Sequence, residues 1–385
     1  MMNEDDIAPL LDAVRRLVNE KLIPAEAQID REHRIPDELL DLMREMGLFA
    51  YAIPAEHGGL GLSKWAEVRM IFEFCRAAPA FRSYVGTTNG VGGKSIVLDG
   101  TAEQKRRYLP AIAAGEMIVS FCLTEPGSGS DAKSLSTTAL RDGDGYVLNG
   151  SKRFISNAPV AGLFTVMART DPDDKSAAGV SAFLVEAGTP GLHVDPPLEK
   201  MGQLGAPTAD VTFTDCRVPA DALLGATEGQ GFITAMKVLD DARIHMGAVC
   251  VGLATRLVEE MIAYAVERQQ FGRPIADFQL IQAMIADSEA ESLAAWAMVE
   301  QTARKMDAGE NVTKAAAACK YFASEAVGRI ADRAVQVHGG YGYMRETAVE
   351  RLFRDARLLR IFEGTSQVMQ LVIAREALKA YKAAH

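Results

Sequence analysis

Residues 336–375 read Q-V-H-G-G-Y-G-Y-M-R-E-T-A-V-E-R-L-F-R-D-A-R-L-L-R-I-F-E-G-T-S-Q-V-M-Q-L-V-I-A-R. The glycines Gly339, Gly340 and Gly342 let the backbone approach a neighbour closely. An Arg-rich helical segment follows, and a single carboxylate, Glu363, then stands between Ile361-Phe362 and Gly364. Thr365-Ser366 can cap a new helix whose apolar positions Val368, Met369, Leu371, Val372 and Leu378 are spaced for one buried face. Two opposing effects act on Glu363: the helix N-terminus favours the anion and the apolar neighbours disfavour it by desolvation. A base that must be ionised yet strong needs such a balance, which makes Glu363 a candidate catalytic base. A helix-start carboxylate serving only the helix dipole is the other reading.

Working outward from this segment, the chain is helical from about Gly231 onward. Long segments at 232–269, 277–308, 313–337 and 366–380 with short links predict an antiparallel bundle. Before them the pattern is strand-like. An apolar run at 117–124 is followed by runs at 136–140 and 146–149 flanking Asp142-Gly-Asp-Gly145, a hairpin signal. Further runs lie at 154–156, 163–168, 180–185 and 211–213, with no helix-length pattern between them, which predicts an antiparallel sandwich or barrel. Residues 3 to about 115 are helical. Leu10, Leu11, Val14, Leu17 and Val18 form one stripe, and Pro36-Asp37-Glu38 opens a helix that Gly47 closes. A Gly/Pro loop occupies 53–61, and helical spacing resumes at 65–75 and 91–98. Thr101-Ala-Glu-Gln104 has the form of a capping box, opening a helix that Pro110 interrupts. The fold class is therefore α+β: an N-terminal all-α domain (1–116), a middle antiparallel β-domain (117–230) and a C-terminal four-helix bundle (231–385).

The chain has 385 residues, long enough for two or three domains, with the hydrophobic (48%) and charged (24%) content of an ordinary soluble protein. A net charge of −10 argues against nucleic acid as the main partner. The five cysteines include no C-x-x-C pair and fit a reduced compartment. The acidic start Met-Met-Asn-Glu-Asp-Asp is unlike a transit or signal peptide, and no stretch approaches a membrane span, so a cytoplasmic protein without membrane insertion is expected. His33, His57, His193, His245, His338 and His385 make no ligand-spaced cluster, so no metal is assigned, and His338 reads as structural.

Two further motifs carry chemistry. L-T-E-P-G-S-G-S-D (123–131) ends a strand in a glycine-rich turn whose N–H groups can hold phosphate or the edge of an aromatic ring. A plain hairpin loop is the alternative. Its Gly127, Gly129 and Ala132 also fit a degenerate dinucleotide fingerprint, which is rejected because a strand pattern, not a helix, follows. Leu239-Asp-Asp-Ala-Arg243 is followed by E-R-Q-Q-F-G-R-P (267–274), where Arg268 and Phe271 at i, i+3 occupy neighbouring helix positions. One could hold a phosphate while the other lines a ring pocket, or both could be solvated charge beside core.

Taken together, the chain resembles the acyl-CoA dehydrogenase family over essentially its full length and in domain order. C-L-T-E-P-G-S-G-S-D-A-K-S (122–134) and Q-V-H-G-G-Y-G-Y-M-R-E-T-A-V-E-R-L-F-R-D (336–355) match at every constrained position, as do E-R-Q-Q-F-G-R-P and I-F-E-G-T-S-Q. The resemblance implies FAD between the β-domain and the bundle, bordered by Phe121, Leu123, Thr124, Gly129 and Ser130 and by Phe154, Ile155 and Ser156. Arg268, Phe271, Gln279, Gln336, Gly339 and Gly340 match positions that hold the dinucleotide across a subunit interface, which implies an oligomer, expected as a homotetramer. Thr365 and Gln367 match cofactor contacts; Ser130, Asp240, Arg243 and Gly364 match acyl-CoA contacts.

The implied reaction is FAD-dependent α,β-dehydrogenation of a short- or branched-chain acyl-CoA to the trans-2-enoyl-CoA. Glu363 takes the α-proton, the β-hydrogen leaves as hydride to flavin N5, and electrons pass to electron-transferring flavoprotein. Donors to the thioester carbonyl, in the family the base's own N–H and a ribityl hydroxyl, acidify the α-proton. Some relatives place the base just before the arginine that matches Arg243. Here that residue is Ala242, which cannot accept a proton. Phe81-Arg-Ser83 resembles a Tyr-Arg-Ser element of glutaryl-CoA dehydrogenases, so Arg82 and Ser83 are candidates to bind a dicarboxylyl substrate. Phe362, where those enzymes carry tyrosine, speaks against it. An oxygen-using oxidase, and a non-catalytic or DNA-binding flavoprotein of the same fold, are the remaining alternatives. The chain's end just after the last bundle helix is unlike acyl-CoA oxidases, and its net charge and intact base motif oppose the others.

Overall fold

A computed structural model describes residues 4–385; Met1–Asn3, the first half of the acidic start, lie outside the described residues. The N-terminal stripe folds as α1 (Glu4–Leu17), with Val14 and Leu17 buried, and runs through a π turn into α2 (Ile23–Glu32). Acidic Asp37 and Glu38 occupy the favourable first turn of α3 (Asp37–Glu45), and Gly47 at φ 69° turns the chain away beyond its end. After α4 (Lys64–Phe74), α5 (Pro79–Thr87) and α6 (Gly93–Asp99), the predicted capping box opens α7 (Ala102–Ala113). Thr101 Oγ1 accepts from the Gln104 N–H at 3.2 Å, and Gln104 Oε1 accepts from the Thr101 N–H at 3.0 Å. Contrary to expectation α7 passes through Pro110. The proline forfeits one hydrogen bond in the last turn, while Leu109 and Ile112 on either side are fully buried.

The middle region is a seven-stranded sheet: β1 (Val119–Cys122), β2 (Thr138–Asp142), β3 (Gly145–Ser156), β4 (Leu163–Arg169), β5 (Val180–Glu186), β6 (Leu192–Val194) and β7 (Thr208–Pro219). The expected hairpin pairs Asp142 with Gly145, and β3–β7, β4–β5 and β6–β7 are also antiparallel. The sheet is not wholly antiparallel as predicted. β1 runs parallel to β4, with Val119 opposite Leu163, and the start of β2 meets the end of β4 in the same sense, Thr138 opposite Arg169. The hairpin between β1 and β4 acts as a crossover, a long-range pairing that local patterns do not encode.

The C-terminal region is α8 (Gly231–Glu267), a two-residue-per-strand hairpin of β8 (Gln269–Gln270) and β9 (Arg273–Pro274), α9 (Gln279–Asp307), α10 (Thr313–His338), α11 (Ala348–Leu358) and α12 (Ser366–Ala384). Helices α8, α9 and α10 pack on one another and α12 packs on α10. One apolar core joins both helical regions and includes Phe74 and Phe81 from the first and Ile244, Leu253 and Ile330 from the second. A second lies within the sheet around Tyr146, Phe164 and Phe213, and a third ties α7, β4 and α8 together through Ile112, Met167 and Ala235. The three regions therefore meet around the start of α8, and the site opens there.

Candidate active site

A cavity of about 770 Å³ lies at this junction. The sheet contributes Phe121, Leu123 and Thr124 from the end of β1, Gly129 and Ser130 from the turn beyond it, and Phe154, Ile155 and Ser156 from the end of β3. The two strand ends are tied: Ser120 Oγ donates to the Ser156 carbonyl at 2.7 Å, and the Arg153 N–H donates to the Thr124 carbonyl at 2.8 Å. The register of β3 against β7 shifts between Lys152 and Ile155, and Phe154 there takes φ 58°, leaving its ring 60% exposed at the cavity edge. The glycine-rich turn is anchored from beneath. Glu125 accepts from the N–H and hydroxyl of Ser136 at the edge of the turn, and from the Thr137 N–H and Lys152 Nζ, the last at 2.7 Å, out of solvent. Burial alone would raise the Glu125 carboxyl, but the Lys152 ammonium and these donors outweigh it and hold the group at about 2.

The helices supply Arg82 and Ser83 from α5, Asp240 and Arg243 from α8, and Glu363 with Gly364 between α11 and α12. Arg243 Nη1 donates to Asp240 Oδ1 at 2.5 Å, one turn away, and Asp240 Oδ2 accepts from Thr313 Oγ1 at 2.7 Å. Glu363 and Gly364 both take left-handed backbone conformations, φ 52° and 94°. The φ of Gly364 favours glycine there, and a Cβ would also have to displace the end of the Met369 side chain, 2.5 Å away. Thr365 Oγ1 caps α12 by accepting from the Val368 N–H, and buried Lys320 donates to the Gly364 carbonyl at 2.6 Å. Burial pushes the Lys320 amine below the ordinary lysine value, against the pull of Cys250 and Glu363.

This turn carries the Glu363 side chain inward. Its Oε1 lies 3.3 Å from Arg82 Nη2, and its Oε2 is buried with no hydrogen-bond partner among the described residues. Arg82 is thus neither solvated nor free. It is 6% exposed, and its Nε donates to His245 Nε2 at 2.9 Å. Behind His245, Nδ1 lies 2.9 Å from Glu67 Oε1, and Lys64 Nζ donates to Glu67 Oε2 at 2.6 Å and to Asp241 Oδ2 at 2.7 Å. The sequence reading missed this chain of buried charges. Its members come from α4, α5 and α8, and no spacing in the sequence announces it.

Arg268, Phe271, Gln279, Gly339 and Gly340 line a different cavity of about 1250 Å³, beside Tyr264 and Tyr341. The two linings share no residue. Arg268 and Phe271 are not on neighbouring helix positions as predicted. α8 ends at Glu267, and Gly272 at φ 81° folds residues 269–274 into the small hairpin, leaving Phe271 92% exposed. Gln336, in the last turn of α10, and Thr365 and Gln367, at the start of α12, lie beside these cavities rather than in their linings. His338 is buried, with Nδ1 2.8 Å from the Ala334 carbonyl and its ring stacked on Tyr264.

Comparison with known proteins accounts for this arrangement along the whole chain. Residues 4–116, 120–216 and 229–378 match the N-terminal, middle and C-terminal domains of acyl-CoA dehydrogenases. The chain belongs to the acyl-CoA dehydrogenase family. It is 44% identical to an acryloyl-CoA reductase (NADH) of Anaerotignum propionicum over 95% of this chain and 92% of that one. It is 42% identical to the caffeyl-CoA reductase-Etf complex subunit CarC of Acetobacterium woodii over 91% of this chain and 92% of that protein. Butyryl-CoA dehydrogenase from Megasphaera elsdenii superimposes with a TM-score of 0.94 at 33% identity, covering 98% of this chain and all of that one. Within this acyl-CoA dehydrogenase-family oxidoreductase, Ala242, just before Arg243, is buried and apolar, whereas Glu363 lines the cavity. Among the described residues no helix is long and apolar enough to cross a membrane.

Proposed function

We propose that the protein interconverts a short- or branched-chain acyl-CoA and its trans-2-enoyl-CoA, with Glu363 holding and moving the proton at Cα. The observation that carries this reading is the carboxylate itself. One oxygen is fixed by Arg82, while the other is buried, unpartnered and beside the cavity. Buried polar atoms are rarely left unsatisfied, and an orphan acceptor beside a cavity is suited to take a proton from what binds there.

FAD fits the same cavity. Phe121, Leu123, Ile155 and the outward Phe154 offer apolar edges to a ring system, and Thr124, Ser130 and Ser156 offer hydroxyls. A Cβ on Gly129 would meet nothing within 4 Å, so the glycine-rich backbone is open to a phosphate. When bound, FAD supplies the two-electron acceptor for the β-hydrogen. The protein's own part is to bind, orient and keep water away. Arg243 and Asp240 hold one another in the cavity lining, Phe362 and Val368 line it beside the base, and Arg82 keeps one carboxylate oxygen from turning. In the reverse direction the protonated Glu363 returns its proton to Cα. Relatives named for reduction and for dehydrogenation support both directions, and electron-transferring flavoprotein is the proposed partner. The second cavity, with its exposed Phe271 and Leu280, suits completion by a second copy of the chain, in keeping with a homotetramer. Five free, buried cysteines suit a reducing cytoplasm.

Two neighbouring donors of Arg82 are already engaged by His245 and Glu363, which favours a monocarboxylyl substrate over a dicarboxylyl one. Anaerobic titration of the yellow holoenzyme with a panel of acyl-CoAs tests both points. Butyryl- or branched-chain CoA is expected to bleach the flavin in the wild type, and Glu363→Gln to slow bleaching at least about a hundredfold while still binding flavin. Bleaching by glutaryl-CoA alone, abolished in Arg82→Ala, would establish the dicarboxylyl reading instead.

A further inference from the structure

We infer that His245 is a positioning residue: its Nε2 acts as a fixed acceptor that locks the Arg82 guanidinium against Glu363 and so sets where the proton-carrying carboxylate sits. The inference rests on Glu363 as the proposed proton carrier. Arginine has donors only, so the 2.9 Å contact from Arg82 Nε obliges His245 Nε2 to accept. The imidazole proton must then sit on Nδ1 and point to Glu67 Oε1, 2.9 Å away. That carboxylate is held by the buried Lys64 ammonium, so the tautomer is fixed from behind. Burial and the neighbouring Arg82 push the imidazole below its ordinary value, which keeps it neutral and able to accept. The Tyr51 ring lies nearly parallel to the imidazole, with centroids 6.0 Å apart.

A second observation points the same way. Gly86 stands in α5 one turn beyond Arg82, an unfavourable residue for a helix interior. A Cβ at Gly86 would lie 2.5 Å from Arg82 Nε and 3.1 Å from His245 Nε2. The helix is therefore hollowed at the place where guanidinium and imidazole meet. Arg82 is a long side chain with many rotamers, and fixing Nε as well as Nη2 defines the plane of its head group. Glu363 Oε1 is then met by a donor in one place, and Oε2 is left free toward the cavity.

Three variants of the holoenzyme test this: His245→Leu, which removes the acceptor; His245→Gln, which keeps an acceptor and a donor; and Gly86→Ala, which intrudes on the contact without removing a polar group. The readouts are the limiting rate of flavin reduction by saturating butyryl-CoA in anaerobic rapid mixing, and the affinity for a CoA thioether that cannot react. His245→Leu and Gly86→Ala are expected to lower the limiting rate about tenfold or more while thioether affinity stays within about twofold, and His245→Gln to recover most of the rate. Wild-type limiting rates in folded His245→Leu or Gly86→Ala would overturn the inference, as would equal losses in His245→Gln and His245→Leu. Where His245→Leu fails to fold, Gly86→Ala against His245→Gln decides in the same way. Glu363→Gln measured alongside separates the two claims. If it is slow and the His245 and Gly86 variants are normal, only this inference falls; if it is fast, the proposed base falls.

Discussion

At the scale of single residues, the site depends on charges that are buried in pairs. Lys152 and Glu125 are both almost wholly out of solvent, and removing one partner leaves an uncompensated buried charge. Lys152→Met is expected to cost about 3–5 kcal/mol in urea unfolding at neutral pH. The ordinary value of the Glu125 carboxyl is 4.5 and the fold holds it at about 2. The unfolded chain therefore binds this proton first, so the stability from Glu125 is full above pH 4.5 and is lost as pH falls toward about 2. The difference between wild type and Lys152→Met should accordingly shrink below pH 4.5; a difference independent of pH would show that the pair does not set it. Residues singled out from short motifs line the cavity: Glu363 from its place before a cap, and Ser130 and Gly129 from the glycine-rich turn. His245 was not legible. Its partners Arg82 and Glu67 are far away in the sequence, so only tertiary packing reveals them.

At the scale of elements, the turn from α11 into α12 decides where the base points. Gly364→Ala is expected to destabilise the fold by more than about 1 kcal/mol and to slow flavin reduction, because φ 94° and the Met369 methyl both oppose a Cβ. Thr365→Ala, which only removes the cap, should cost about 1 kcal/mol in stability. Thermal unfolding compared with reduction rates separates the two effects. Caps of this kind, at Thr101 and Thr365, were read from the sequence because donor and acceptor lie within one turn. The parallel pairing of β1 with β4 was not, because its register is set by a crossover rather than a hairpin. The hairpin at 269–274 escaped for another reason: helical periodicity continues into Arg268 and Phe271, and Gly272 breaks it only through its backbone conformation.

At the scale of the whole molecule, the predicted site residues divide between two cavities, and the proposed cofactor would need both. The proposed second copy would cover Phe271, Leu280 and Tyr343, which are 92%, 78% and 87% exposed in the single chain. Sedimentation is expected to show an oligomer, and Phe271→Asp to weaken it together with flavin retention; a flavin-loaded monomer would remove the assembly from the account. The three-part order of helices, sheet and helices was legible because each part has its own period, whereas the meeting of their cores around the start of α8 was not. What that meeting produces is a carboxylate with one oxygen fixed and one free. The most direct measurement of its role uses a saturated acyl-CoA whose β-carbon is replaced by sulfur, so that the α-proton can leave but no β-hydride can follow. Incubated in D2O with the holoenzyme, this compound is expected to gain deuterium at Cα with the wild type and at least about a hundredfold more slowly with Glu363→Gln. Equal exchange in the two proteins would contradict the assignment of Glu363 as the group that moves the proton.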